Sequence, residues 1–328
     1  MNMPIEKIKK IDENELLCIT HNDLDGVAAN VLMRLSIFPE LYNVNIENVS
    51  TNEVENTINK WIDEHSSFPA FLIINDLSFI DKDYVEELDK YIKNQPVISA
   101  ASLLIDHHPT ALWLNKYSWC HVQAEKECGS ASYQLFKWME YNNYITTTMK
   151  RLGWISSISR YDTWKWKESK DFYQDEYENI LLDIYGIDYY IDKTIARIRD
   201  ESSYSSDELK LIQNYIIKRD KKVTSIVEKK IKEVYFKGHA FYLFLTSAPI
   251  SSVKEKFEEV CPDAKDNIIA TLFVDTMVLS MRTSSDDIDL GELAKSLAFE
   301  GKGGGHKKAA GCTLSVEDGL ELIRRYFS

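Results

Sequence analysis

The chain has 328 residues, 44% hydrophobic and 28% charged, with only 12 Gly and 7 Pro, a profile that excludes a wholly disordered or collagen-like polymer and calls for one large domain or two ordinary ones. Lys and Arg number 39 against 52 Asp and Glu, a net charge of −13; a surface of that sign repels long polyanions, so long duplex DNA is not an expected partner, while a small anion held at a local site is allowed. No apolar run approaches the roughly 18 residues of a membrane helix, the opening residues lack a secretory core, and five scattered cysteines without a C-x-x-C pair argue against a disulfide framework or a zinc knuckle, so the expectation is a cytoplasmic protein with no membrane partner.

In chain order, Glu15–Thr20 is an apolar run of strand length and Gly26–Phe38 carries helical spacing at Val27, Leu32 and Leu35. Val44–Val49 reads as a second strand and Glu53–Glu64 as a helix. Phe71–Ile74 and Ser102–Ile105 are continuous apolar runs, the pattern of strands covered on both faces, and Asp81–Lys93 between them is an amphipathic helix behind an acidic cap. The alternation predicts an α/β fold with an open parallel sheet. From Asp188 to Val234 the chain is helical and charged with acids and bases interleaved, the character of a linker. Near Tyr235 a second α/β domain begins, with strands at Phe241–Leu245, Ile268–Val274 and Val278–Met281, a helix at Leu290–Leu297, a glycine-rich stretch over Gly301–Gly311, and a final strand and helix. The domain reading is 1–187, linker 188–234, and 235–328.

Three strand patterns end in residues that bind metals. The first gives His21-Asn-Asp23-Leu-Asp25-Gly26, the second Asn75-Asp76, the third Asp106-His107-His108. Parallel strands bring these ends to one sheet edge, where open α/β sheets bind ligands. Asp162 closes an apolar helical segment and is a fourth candidate. An Asp after a strand is most often a cap or turn former; the argument rests on several strand ends carrying such residues together. Asp23, Asp25, Asp76 and Asp162 crowded into one place would take up protons unless two divalent cations cancelled their charge. The oxygen-rich donors with imidazole suit Mn²⁺, with Mg²⁺ or Co²⁺ as alternatives. Such a pair, roughly 3.5–4 Å apart, can activate a water and clamp a phosphoryl group.

With these motifs the chain resembles the DHH phosphoesterase superfamily, named for the triplet that stands here as Asp106-His107-His108; Gly303-Gly-Gly-His-Lys-Lys-Ala-Ala-Gly311 and Leu279-Ser-Met-Arg-Thr283 resemble its C-terminal DHHA1 domain. The resemblance implies an N-terminal parallel-sheet DHH domain and a smaller DHHA1 domain joined by a helical linker. It implies His21, Asp23, Asp25, Asp76, His107 and Asp162 as metal ligands, with Asp76 bridging. Asp106 would orient an imidazole from behind, and His108 would face the scissile phosphate. One residue separates His21 from Asp23 where many members have three. Gly303, Gly304 and Gly305 would let backbone N–H groups approach a phosphate, and His306 and Arg282 would add charged hydrogen bonds. Lys307 and Lys308 add local positive potential. Gly129-Ser130-Ala-Ser132 reads as a helix start with N–H groups facing the site or as plain capping, and Trp164 and Trp166 as base-stacking or packing residues.

The function implied is a phosphodiesterase similar to nanoRNase-type oligoribonucleases, releasing mononucleotides from short RNA or DNA oligonucleotides and dinucleotides. The alternatives are a RecJ-type single-strand DNA exonuclease and a catalytically silent nucleotide-binding regulator. Oligomeric state is not legible, with a homodimer one option.

Overall fold

The computed structural model describes residues 3, 7–8, 10–94, 102–168, 172–264 and 267–328. The chain divides into two units, Met1–Ile212 and Gln213–Ser328.

The first unit is built on a five-stranded, wholly parallel sheet of β1 (Lys10–His21), β2 (Asn43–Val49), β3 (Ser67–Asn75), β4 (Leu103–Asp106) and β5 (Cys120–Val122), in the order β2-β1-β3-β4-β5. Side chains alternate across a strand. Leu17 and Ile19 of β1, with Leu72 and Ile74 of β3, therefore join one core with α2 (Val54–His65) and α3 (Lys82–Asn94), through Ile58, Ile62, Val85 and Leu88. The opposite face, with Leu16 and Cys18, is covered by α1 (Leu24–Leu35) and α4 (Ala131–Tyr141). Burial on both sides explains why β3 is buried at every position and why its apolar run is unbroken. Strand β1 is longer than its apolar run: its charged first half, from Lys10 to Glu15, pairs in part with β3 at Ser67–Pro69. The connections run outward in opposite directions from β1 and β3, so the crevice above these two strands is the topological switch point of the sheet.

Helices α5 (Met149–Asp162), α6 (Phe172–Tyr185) and α7 (Ile187–Arg199) complete the unit. Within the stretch read as a linker, α7 packs on α1 and buries Tyr190, Ile191 and Ile198. The division between units falls inside α8 (Ser206–Lys230).

The second unit carries a mixed six-stranded sheet of β6 (Glu233–Phe236), β7 (His239–Leu245), β8 (Ile268–Phe273), β9 (Val278–Arg282), β10 (Gly303–His306) and β11 (Ala309–Thr313), ordered β10-β11-β9-β8-β7-β6. Among the described residues only the β7–β8 pair of this sheet is parallel. One face packs on α10 (Leu290–Leu297) and on Leu322 of α11 (Val316–Phe327). The other packs on α9 (Ile250–Val260) and on Val223 and Val227 of α8. Among the described residues no helix is long and apolar enough to cross a membrane.

Two glycines of the first unit do opposite things. At Gly26 a Cβ would run into the His21 carbonyl, so α1 can start this close to β1 only without a side chain. At Gly153, inside α5, a Cβ would meet nothing within 4 Å. We expect Gly153→Ala to stabilise the protein in urea unfolding by about 0.5–1 kcal/mol, the helix-interior cost of glycine. Gly26→Ala should destabilise it; a neutral Gly26→Ala would contradict the close approach described.

Candidate metal centre

Each donor is delivered by an element end. His21 is the last residue of β1, and Asp23 caps α1, its Oδ1 accepting from the Gly26 N–H at 3.1 Å. Thr20 Oγ1 donates to the Gly26 carbonyl at 2.8 Å, and Asn48 Nδ2 on β2 donates to the His21 carbonyl at 2.8 Å. Asn48 in turn accepts from Asn30, and Asn30 from Arg34 Nε. Asp76 follows β3 with φ of 59°, a left-handed conformation that Asp tolerates better than most residues. Its N–H donates to the Ile105 carbonyl at 2.9 Å, while buried Asn75 donates to the carbonyls of Ile105 and Ala131. Asp106 ends β4, and Asp162 ends α5.

The carboxylates and imidazoles converge. His21 Nδ1 lies 2.8 Å from Asp23 Oδ2 and 3.6 Å from Asp76 Oδ2. His107 Nε2 lies 3.3 Å from Asp162 Oδ2 and 3.5 Å from Asp76 Oδ1. His21, Asp23 and Asp76 form one group whose donor atoms lie within 4.8 Å of one another, and Asp25, Asp76 and His107 form another. Asp106, wholly buried, accepts from the His107 backbone N–H at 2.8 Å and contacts His108 Nδ1 at 2.8 Å. The imidazole it orients is therefore that of His108, whose side chain is 30% exposed.

Electrostatics show what the arrangement lacks. Burial, then the charges of Asp76 and Asp162, push the Asp25 carboxyl well above the usual carboxylate range. Burial and neighbouring acids likewise lift Asp162 to about 6, against the pull of His107. Burial opposes charge on His21, but Asp23 and Asp76 prevail and hold it at about 11. His107, beside Asp162 and Asp76, and His108, beside Asp106, are raised in the same way despite burial. His21 draws the half-exposed Asp23 carboxyl below its ordinary range, and His108, against burial, does so for Asp106. Protons thus serve as the counter-charge. Both oxygens of Asp76, with Asp106 Oδ2 and Asp162 Oδ2, are buried and accept no hydrogen bond among the described residues. Such acceptors in a folded protein call for a bound partner, and carboxylates with imidazole fit hard or borderline divalent cations. The residues present fit a two-cation centre.

Sequence reading named these donors but not their supports. Thr20, Asn48 and Asn75 are small polar residues on strands, with no signal to single them out. Ser130 caps α4, its Oγ accepting from Tyr133 N, while the Ser132 backbone N–H and hydroxyl both donate to Asp25; capping and facing the site coexist there. Trp166 is buried against Tyr161, whereas Trp164 is half-buried.

The substrate-binding residues expected from the sequence lie in the second unit. Register places Arg282 on β9 opposite Ala309 on β11, and Ala309 opposite His306 on β10. Arg282 and His306 therefore share one row and one face of the sheet. The glycines divide. A Cβ at Gly303 would meet the Ala294 carbonyl at 2.6 Å, and one at Gly305 would meet the Ala309 carbonyl at 2.7 Å, so both are required by packing of the chain on itself. Gly304 opens on space. Lys308 is engaged with Asp286 and the Ser284 carbonyl, while Lys307 is exposed.

Comparison with known proteins agrees with this architecture. Residues 246–328 match the DHHA1 domain family. Over 306 residues, 91% of this chain and 72% of the relative, the sequence is 27% identical to the oligoribonuclease NrnB of Bacillus subtilis. In fold it is similar to the DHH domain of a protein described as a member of a family of ribosomal proteins, with TM-score 0.60, 16% identity, and coverage of 96% and 86% of the two chains. It is also similar to CDC45 of Entamoeba histolytica, with TM-score 0.53, 10% identity, and coverage of 98% and 97%. RecJ of Thermus thermophilus, crystallised with Mn²⁺, matches with TM-score 0.50 and 13% identity over 95% of this chain and 51% of its own.

The raised pKa values set a pH dependence. Asp162 binds its proton more tightly folded than unfolded, so its contribution to metal-free stability is full below 3.8 and lost as pH rises through about 6. A cation needs the deprotonated carboxylate, so the thermal stabilisation it confers should grow across that window. At pH 7 cation binding should also release protons held by His21 and His107. Calorimetry in buffers of different ionisation enthalpy reads that release; a binding heat independent of buffer would contradict it.

Proposed function

The chain is a member of the DHH superfamily closed by a DHHA1 domain, and on that premise we propose that it is a two-metal phosphodiesterase that hydrolyses short oligonucleotides and linear dinucleotides to mononucleotides. The observation that carries the reading is Asp76. It is buried at the sheet's switch point and its carboxylate accepts no hydrogen bond among the described residues, yet it belongs to donor groups with His21 and Asp23, with Asp25 and His107, and with Asp106 and His108. A carboxylate placed so is suited to be shared by two cations. Kinship to an oligoribonuclease over most of both chains supports the substrate class.

His21 and Asp23 would hold one cation, and Asp25, His107 and Asp162 the other, with Asp76 common to both. Mn²⁺ is the proposed ion, from the mix of carboxylates and imidazoles. When bound, such ions supply Lewis acidity toward phosphoryl oxygens and lower the pKa of coordinated water. The residues around them do the rest. Asp106 fixes the His108 ring through Nδ1 and raises its pKa, favouring the protonated ring, a form in which His108 would donate a hydrogen bond to the phosphate through its other nitrogen. Thr20 and Asn48 hold the backbone that presents His21 and Asp23. Arg282 and His306, on one row of the second sheet, would bind the substrate's phosphate, and the net charge of −13 disfavours long polyanions.

The test is a length series of labelled RNA and DNA, from two to about twenty nucleotides, with Mn²⁺ and with Mg²⁺. Activity should fall with length, and mononucleotides should accumulate. Equal or rising activity on long single strands would favour an exonuclease of the RecJ kind. Asp76→Ala should abolish turnover, and Arg282→Ala should weaken substrate binding while leaving cation binding intact. Turnover by Asp76→Ala at the wild-type rate would refute the shared-ligand role.

A further inference from the structure

We propose that Ser132 is the positioning residue of the metal centre, holding Asp25 by a two-point grip that fixes which edge of that carboxylate faces the cations. The inference rests on the two-cation reading of Asp25 and its neighbours. Ser132 is the second residue of α4, and its N–H is among the donors that a helix start leaves without an intrahelical acceptor. That N–H goes to Asp25 Oδ2 at 3.1 Å, and the Ser132 hydroxyl goes to Asp25 Oδ1. One residue thus occupies one acceptor position on each oxygen of the carboxylate. Ser132 is wholly buried and Asp25 nearly so. A carboxylate held at both oxygens cannot turn about its terminal bond, and Asp25 keeps its donor atom within 4.8 Å of those of Asp76 and His107.

The grip is anchored. The Ser130 N–H donates to Ser159 Oγ at 2.9 Å, and Gly129, at φ of 81°, passes so close that a Cβ there would meet Ser159 Oγ at 2.7 Å. Ser159 stands three residues before Asp162 on α5. The turn that holds Asp25 on α1 is therefore fastened to the helix that carries Asp162, and the two acids are set relative to one another through Ser132, Ser130 and Ser159.

Cation affinity, rather than turnover, reads this role. Ser132→Ala retains the backbone N–H and removes the hydroxyl; titration calorimetry and the spin-resonance signal of free Mn²⁺ should show affinity roughly 10–100-fold weaker, the usual effect of losing a group that orients a ligand. Ser132→Thr keeps the hydroxyl and should stay within about threefold of wild type. Ser315→Ala, which removes the cap of α11 in the second unit, should lower the melting temperature yet leave Mn²⁺ affinity unchanged. Wild-type affinity in Ser132→Ala, equal losses in the Ala and Thr variants, or a matching loss in Ser315→Ala would overturn the inference while the metal centre stood. Failure of the wild-type protein to bind any divalent cation would bring down the metal centre itself, and this inference with it.

Discussion

Buried carboxylates repel one another, and this repulsion organises the first unit. Asp25 and Asp76 are almost fully buried within a few ångström of each other, with Asp23 and Asp162 beside them. Water cannot screen charges in such a place, so neutrality must come from somewhere. Without a cation it comes from protons that Asp25, His21 and His107 hold more tightly than usual, and below about pH 6 from Asp162 as well. The fold tolerates that state because rigid elements impose it: a parallel sheet whose strands end together, a helix start with no room for a side chain at Gly26, and a left-handed turn at Asp76. The strain and the charge both sit at the switch point, where chemistry is usually placed in sheets of this kind.

Much of this was legible in the sequence because strands covered on both faces read as unbroken apolar runs. Phe71–Ile74 announced β3, and the acids directly after such runs could only lie at one sheet edge. The helix at Leu290–Leu297 fell where its spacing put it. Other features had no such signal. Strand β5 has three residues with exposed His121 in the middle, too short for any periodicity. The first half of β1 is polar and partly exposed, and reads as loop. A serine before a helix suggests a cap, and only the fold shows Ser132 reaching a residue 107 positions earlier. Local sequence reports local chemistry; a hydrogen bond across that separation depends on how α1 and α4 pack.

The second unit teaches the reverse lesson. Three consecutive glycines invite a ligand-based reading, yet two of them are explained by the chain's own backbone. Gly303 lets β10 lie against α10, and Gly305 lets it lie against β11. Of the three, Gly304 alone has open space beside it. Arg282 and His306 acquire their relation through strand register alone, something no spacing in the sequence encodes.

The donors lie between His21 and Asp162 in the chain, on four different segments. On the two-cation reading, no subset of neighbouring residues would assemble the whole centre, so an unfolded or half-made polypeptide would lack a complete site for the ions. Ion affinity is accordingly bound up with cooperative folding of the whole first unit, each increment of occupancy adding to its resistance to unfolding by mass action. On the two-cation reading, a nascent copy would lack a complete centre until the segment carrying Asp162 had been made and docked.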